Sequence, residues 1–365
     1  MIVKQHESFS TVDQTSWSKL VADLATADLF QSYEWQSTWW EYFGESRRLI
    51  ILEGIVDEHT VGIASFYIES LKIARIPVLQ VVRLVGYPDA QYGDITVLPE
   101  YAETFVKSIL SFLSTSKKEW SACLFHDLHP ESILCSFLVP ALINTKLITT
   151  LDDYKVRYIS EFASDWKAYT QLLSTSTRRT TNNLLNRADK NENTKFIKVT
   201  NVNECDEGFK ELFRLHEMRW KRSGETGIFH NDLIKGFHLS LVKKLPKNFR
   251  LFFLNFENEN IAVFYGYDFK GVRYSIQMGV NNDAPFRSAG GVIYYESMRD
   301  AAENNISLYD NGRGIQEYKQ KMSNIIIMTK ELRIFSSCSS KWLYYMLRNL
   351  GETLKNIKKR LRKVW

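Results

Sequence analysis

Residues 250–280, RLFFLNFENENIAVFYGYDFKGVRYSIQMGV, decide the fold. Three runs rich in aromatic and β-branched residues, RLFFLNF, IAVFYGYD and VRYSIQMGV, are separated by ENEN and FKG, whose polar and glycine content suits tight turns. The pattern predicts an antiparallel meander. Downstream, a helix is expected over 290–304 after a glycine-containing loop, followed by a strand in ISLYD. Upstream, the periodicity predicts a long helix over 163–189, a strand KFIKV, and helices over 206–221 and 232–244.

The first half repeats that order with different residues. Helices are expected over 16–27 and 34–42, then β-rich runs RRLIILEGIV and TVGIASFYIES joined by DEH, then LQVVRLVG and DITVL. An amphipathic helix over 100–113, the strand-like WSACLF and a helix over 130–142 close the unit. The fold class is therefore α/β (α+β), built as a tandem pair: one domain over 1–150 and a second over 151–335. Each is expected to hold a mixed, mostly antiparallel sheet flanked by helices.

Residues 336–365 behave differently. Leu343, Met346, Leu350, Leu354, Ile357 and Leu361 recur at helical spacing, and Lys and Arg surround that stripe. Such a basic amphipathic helix either docks its stripe on the protein body or lies on an anionic membrane surface, where each basic residue contributes about 1 kcal/mol.

With 44% apolar residues and 13% aromatic ones, the chain can build a sizeable core. A net charge of +5 over 365 residues is too mild to imply a nucleic-acid partner. Cys123, Cys135, Cys205 and Cys338 show no metal-ligand or disulfide-framework spacing, which fits free thiols and a cytoplasmic location. The opening MIVKQHESFS has no signal-peptide pattern, and no apolar run is long enough to span a bilayer.

Several stretches carry candidate chemistry. In APFRSAGGVIYYESMRD, Arg287, Ser288, Gly290 and Gly291 stand at a helix start, where exposed N–H groups, the helix dipole and a cation suit a pyrophosphate. The plainer reading makes Ser288 an N-cap and the glycines packing points. In FRLHEMRWKRSGETGIF, His216 is either a core-edge histidine or, with Glu217, a proton acceptor, and Arg219 and Arg222 suit an anionic substrate group. His126 and His129 in FHDLHPES have no third ligand in view, so a metal is not expected. Arg178, Arg179 and Arg187 read as a solvated helix face or as contacts to an anionic acceptor. No P-loop, H-E-x-x-H or G-x-S-x-G motif is present. Finally, YDNGRGIQEYKQKM (309–322) gathers Asp310, Arg313, Tyr318 and Lys319 after a strand.

Taken in order, FQSYEWQSTWWEYFG, QYGDITVLPE, LHEMRWKRSGETGIF, FRSAGGVIYYES and YDNGRGIQEYK resemble the CelD-like acyltransferases of the GNAT superfamily, associated with cellulose and surface-polysaccharide synthesis. That group is related in architecture to the FemAB-type aminoacyl transferases, and the resemblance runs over about residues 30–334. Asp310, Arg313, Gly314, Tyr318 and Lys319 match its pattern after the last strand; His216, Arg219 and Trp220 match its H-x-x-R-W. Asn311 stands where an aromatic is usual, Ile315 and Gln316 replace an acidic pair, and Gln91 replaces an acid ahead of Tyr92 and Asp94.

The resemblance implies two GNAT-like domains and transfer of an acyl group, most simply from acetyl-CoA, to an amine or hydroxyl of a sugar or cell-surface polysaccharide precursor. It implies that Lys319 serves an oxyanion or phosphate and Tyr318 the leaving group, with Asp310 or His216 deprotonating the acceptor. Arg287, Ser288, Gly290 and Gly291 would hold the donor, and Tyr92, Asp94, Arg219, Trp220 and Arg313 the substrates. Two other readings are a FemAB-like aminoacyl transferase acting on a peptidoglycan precursor, and a non-catalytic scaffold in a membrane-bound polysaccharide synthase. In the second, residues 341–365 would be a peripheral anchor at the inner face of the membrane.

Overall fold

The structure is a computed structural model that describes residues 1–73, 76–222 and 224–364, with side chains throughout except at Arg222 and 354–364. The chain divides into two compact units: Met1–Trp40, Gly44–Tyr154 and Thr329 onward form the first, Glu41–Phe43 and Lys155–Met328 the second. The segment Thr329–Phe335, expected in the second domain, thus belongs to the first unit. So does the C-terminal helix.

Strands of the first half are β1 (Ile2–His6), β2 (Arg48–Val56), β3 (His59–Ile73), β4 (Ile76–Leu84), β5 (Thr96–Val97) and β6 (Ala122–Leu128). Those that follow are β7 (Ile148–Glu161), β8 (Thr194–Val199), β9 (Phe249–Phe256), β10 (Glu259–Phe269), β11 (Val272–Val280), β12 (Leu308–Arg313) and β13 (Ile325–Phe335). In the first unit the order is β1-β2-β3-β4-β6-β13, with β5 on β3; in the second it is β7-β12-β11-β10-β9-β8. Each unit is mostly antiparallel with one parallel pair, β4 with β6 and β11 with β12.

The expected meander is present, and its turns explain its register. Glu257 and Asn258 between β9 and β10, and Lys270 and Gly271 between β10 and β11, all have positive φ, as two-residue turns of the twist-matched kind require. Asp57 and Glu58 do the same between β2 and β3. The run FRLFFLNF is apolar at nearly every position because both its faces are covered. Phe252 and Leu254 pack with Phe264 under the helices Thr175–Asp189 and Ala289–Glu303. Leu251 and Tyr265 point the other way, where Gly208 and Phe209 of helix Cys205–Arg222 lie against them.

The helix expected over 163–189 is two helices, Trp166–Leu172 and Thr175–Asp189, because Ser174 takes an extended ψ and caps the second through the N–H of Thr177. The C-terminal helix runs Cys338–Val364. Its Leu343, Tyr344, Tyr345 and Leu347 pack with Leu79, Val81, Leu124 and Phe335 of the first unit, so the near end of the stripe docks on the body. Leu350 is half exposed, and the side chains of Leu354, Ile357 and Leu361 lie outside the described set.

Candidate active site

In the second unit the parallel pair β11–β12 is short. It matches Val272–Tyr274 with Leu308–Asp310, while β11 runs on to Val280. Beyond the end of that pairing lies a cleft of about 590 Å³ not filled by atoms, part of it open to solvent. Met278, Gly279 and Val280 form one wall, Gly290, Gly291, Tyr294 and Tyr295 of the following helix another, and Arg219 and Tyr318 complete it. Arg219 is held there by donating from Nη1 to the carbonyl of Met278 at 3.2 Å.

The helix start has an unusual entry. Ser288 is left-handed, φ 63° and ψ 29°, and its exposed side chain makes no capping bond. The N–H groups of Gly291 and Val292 donate to the Ser288 carbonyl, which leaves those of Ala289 and Gly290 without a helical partner. Nor do the glycines serve close packing: a Cβ at Gly290 would meet Val280 at 3.7 Å and one at Gly291 would meet Leu184 at 3.4 Å, both ordinary contacts. Their effect is to keep the cleft wall low. The Arg287 side chain is exposed, and its carbonyl accepts from the Arg187 guanidinium, which sits 4.7 Å from the Phe286 ring. Arg187 therefore stands beside the helix start.

The residues from 309–322 divide between cleft and core. Tyr318 meets Tyr294 edge to face at 4.8 Å, and burial raises its pKa, so the phenol stays protonated. Lys319 is buried and donates from Nζ to the carbonyl of Arg313 at 2.6 Å; burial brings its pKa down to about 8. Asp310 accepts two bonds from Nη2 of the buried Arg157 at 3.0 Å and one from the N–H of Gly312 at 2.8 Å. A carboxylate so engaged balances a buried cation. Asn311 is buried: it donates to the Tyr158 carbonyl and to Ser323 Oγ and accepts from the Tyr294 hydroxyl. A phenylalanine ring could make none of these bonds.

His216 follows the plainer reading. It is buried, its Nε2 accepts the indole N–H of Trp220 at 2.9 Å, and the Phe229 ring lies 4.8 Å away. Burial, then the charge of Arg219, lower its pKa to about 4. In this geometry the Nε2 lone pair expected to take the acceptor's proton is engaged by the Trp220 indole N–H. Glu217 is exposed and paired with Lys221. The side chain of Arg222 lies outside the described set.

Tyr92 and Asp94 lie in the first unit. Asp94 accepts the N–H groups of Ile133 and Leu134 at 2.8 and 3.1 Å, and burial pushes its pKa up to about 7 against those bonds. The Tyr92 ring neighbours Phe30 and His129. His126 bonds Glu331 at 2.8 Å. Among the described residues no group of three or more His, Cys, Asp or Glu is placed to hold a metal ion.

Sequence reasoning missed Tyr294 and Tyr295. A signal was there, since each stands four residues after Gly290 or Gly291 and so on the same helix face. Met278, Val280 and Arg157 carried none.

Residues 175–320 match the family model described as an acetyltransferase (GNAT) domain. No curated protein matches the sequence. Among solved structures, FemX has a TM-score of 0.64 at 10% identity, with 90% of this chain and 96% of that chain covered. The C-terminal domain of a putative lysylphosphatidylglycerol synthetase from Agrobacterium fabrum has a TM-score of 0.56 at 11% identity, covering 93% and 95%. A tandem GNAT protein from the clavulanic acid biosynthesis pathway has a TM-score of 0.50 at 6% identity, covering 91% and 98%. At such identities the likeness speaks for the fold alone. The chain thus has a tandem GNAT-like fold, within which residues 175–320 are similar to a GNAT acetyltransferase domain.

Proposed function

We propose that the protein is an acyl-CoA-dependent acyltransferase that moves an acyl group, acetyl in the simplest case, to an amine or hydroxyl of a sugar or cell-surface polysaccharide precursor. The observation that carries the donor half of this reading is the cleft at the end of the β11–β12 pairing, walled by a helix start with two unpartnered N–H groups. The acceptor half rests on the resemblance of the sequence motifs to the CelD-like group.

The chain's residues fit the donor by their chemistry. Ala289 and Gly290 offer N–H groups, and the helix dipole and Arg219 add positive potential, which together favour a diphosphate. The aromatic and aliphatic walls suit an apolar arm. When bound, acyl-CoA supplies the thioester carbonyl as electrophile. Tyr318, kept protonated by burial, is the group we assign to protonate the departing thiolate. Lys319, cationic below about pH 8, adds positive charge one residue from the cleft wall.

The test is binding. CoA and acetyl-CoA should raise the melting temperature progressively with the logarithm of concentration above Kd, by the equivalent of about 2.7 kcal/mol at a hundredfold excess over Kd. No shift with either ligand would remove the CoA reading and return attention to an aminoacyl donor or to a non-catalytic scaffold. The acceptor is tested separately, by mass spectrometry of surface polysaccharide from cells with and without the protein; an unchanged acyl mass would sink that half.

A further inference from the structure

Two buried histidines of the first unit are each paired with a glutamate, and they differ at the other ring nitrogen. His6 bonds Glu53 through Nε2 at 2.8 Å and the Thr11 hydroxyl through Nδ1 at 3.0 Å, so both nitrogens are used. His126 bonds Glu331 through Nε2 at 2.8 Å, but its buried Nδ1 has no hydrogen-bond partner. Against burial, the bonds from His126 and Arg333 bring the Glu331 pKa down to about 2, so its carboxylate can only accept. Burial lowers the pKa of His126, which keeps the ring neutral at pH 7. Its one proton therefore sits on Nε2, and Nδ1 is a bare acceptor. Buried acceptors are seldom left unmet, because each one costs the fold stability.

The Glu331 end of the pair is anchored. Its second oxygen accepts from the Arg333 guanidinium, which also bonds Asp152 at 2.8 Å and the Tyr345 hydroxyl at 3.1 Å. A fixed carboxylate fixes the orientation of the imidazole it holds. The ring is packed as well: it stacks on Tyr87 with centroids 4.5 Å apart, and Tyr154 lies 5.1 Å away. His126 is also part of the wall of a pocket of about 260 Å³, with Tyr87, Ala90, Tyr92, Gly93 and Leu124. Glu331 is not in that wall, so Nδ1 is the ring nitrogen left for whatever enters. Among the described residues no Lys, Arg, Asp or Glu lines the pocket.

We propose that this pocket of the first unit binds a neutral ring bearing a hydroxyl, a sugar or a phenol, whose O–H donates to His126 Nδ1. A wall without charged side chains disfavours an ionised ligand group, and a bare acceptor asks for a donor. The Tyr92 ring and the aliphatic side chains suit the apolar faces of such a ring. Sites for drug-sized ligands occupy about 300–1,000 Å³, so this smaller pocket takes a single ring rather than a nucleotide. The proposal does not rest on the CoA reading, because all of its residues belong to the first unit.

Nitrogen-15 spectra of the full chain labelled at histidine test it, with methyl β-glucoside, phenol and anisole as probes and His126→Phe to assign the signal. The glucoside, phenol or both should move the His126 Nδ1 signal saturably while that of His6 stays in place; the probe that responds names the source of the ring. Anisole, which keeps the aromatic ring and lacks the donor, should bind about tenfold more weakly than phenol wherever phenol binds. Ala90→Leu fills the pocket without touching the histidine–glutamate pair, and should lose the response while keeping a cooperative thermal transition. Three results would overturn the proposal: a His126 signal that neither hydroxylated probe moves, anisole binding as tightly as phenol, or an unchanged response in Ala90→Leu.

Discussion

Lys319 is buried with its ammonium group donating to a neutral carbonyl, that of Arg313. Burial lowers its pKa from 10.5 to about 8; Asp310 opposes the shift, while Arg157 and Arg219 add to it. Between these two values the unfolded chain binds more protons than the folded one, so this group makes stability rise with pH across that window. Below about pH 8 the folded state carries the whole cost of the buried charge, about 3 kcal/mol. Lys319→Met removes the charge and also the bond to Arg313, so its net effect at neutral pH is smaller than that. Its pH dependence is the informative part. Thermal melts of parent and variant should differ most in the variant's favour below pH 8, and the difference should shrink as pH rises toward 10.5. A difference that stays constant with pH would show that Lys319 titrates normally, and the placement of a perturbed cation beside Tyr318 would fall with it.

At the scale of the element, the start of helix Ala289–Glu303 sets function against stability. Glycine inside a helix costs about 1 kcal/mol relative to alanine. At Gly290 a methyl group would meet only Val280, at 3.7 Å, but it would project into the cleft wall. Gly290→Ala is therefore expected to hold or raise the melting temperature while weakening CoA about tenfold, the scale of one misplaced methylene in a pocket. A variant that melts higher and binds CoA as the parent does would place the donor elsewhere. This helix also shows what could be read from sequence and what could not. Its start and the turn-bounded strands before it follow from local chemistry, and all were legible. Whether Ser288 caps the helix or leaves its N–H groups open depends on a left-handed backbone that no serine announces. The same limit applied to His216, where H-x-x-R-W fits a base as well as a ring bonded to Trp220 one turn on.

At the scale of the whole chain, the repeat of helices, meander, helix and strand was legible because each unit is written in local patterns. The return of Thr329–Phe335 to the first unit was not, since its partner β6 lies some two hundred residues earlier and such a pairing leaves no local mark. Nor did the repeat reveal that its two halves differ at equivalent places. In the first unit the parallel pair β4–β6 matches only Val81 and Val82 with Ala122 and Cys123, so the same opening exists beyond it. There, Tyr87 stacks on His126 at 4.5 Å with the Arg83 guanidinium 4.7 Å from the tyrosine ring, and about 260 Å³ is left unfilled against 590 Å³ in the second unit. The helix that follows, Ala102–Thr115, opens without glycine and with Glu103 in its first turn, where a carboxylate repels a phosphate. Titration with acetyl-CoA should therefore report one site per chain, and Gly290→Ala should weaken that one site. Two sites of similar affinity would mean that the Tyr87–His126 stack opens to admit a donor, and the asymmetry between the halves would then lie in the acceptor rather than in the donor.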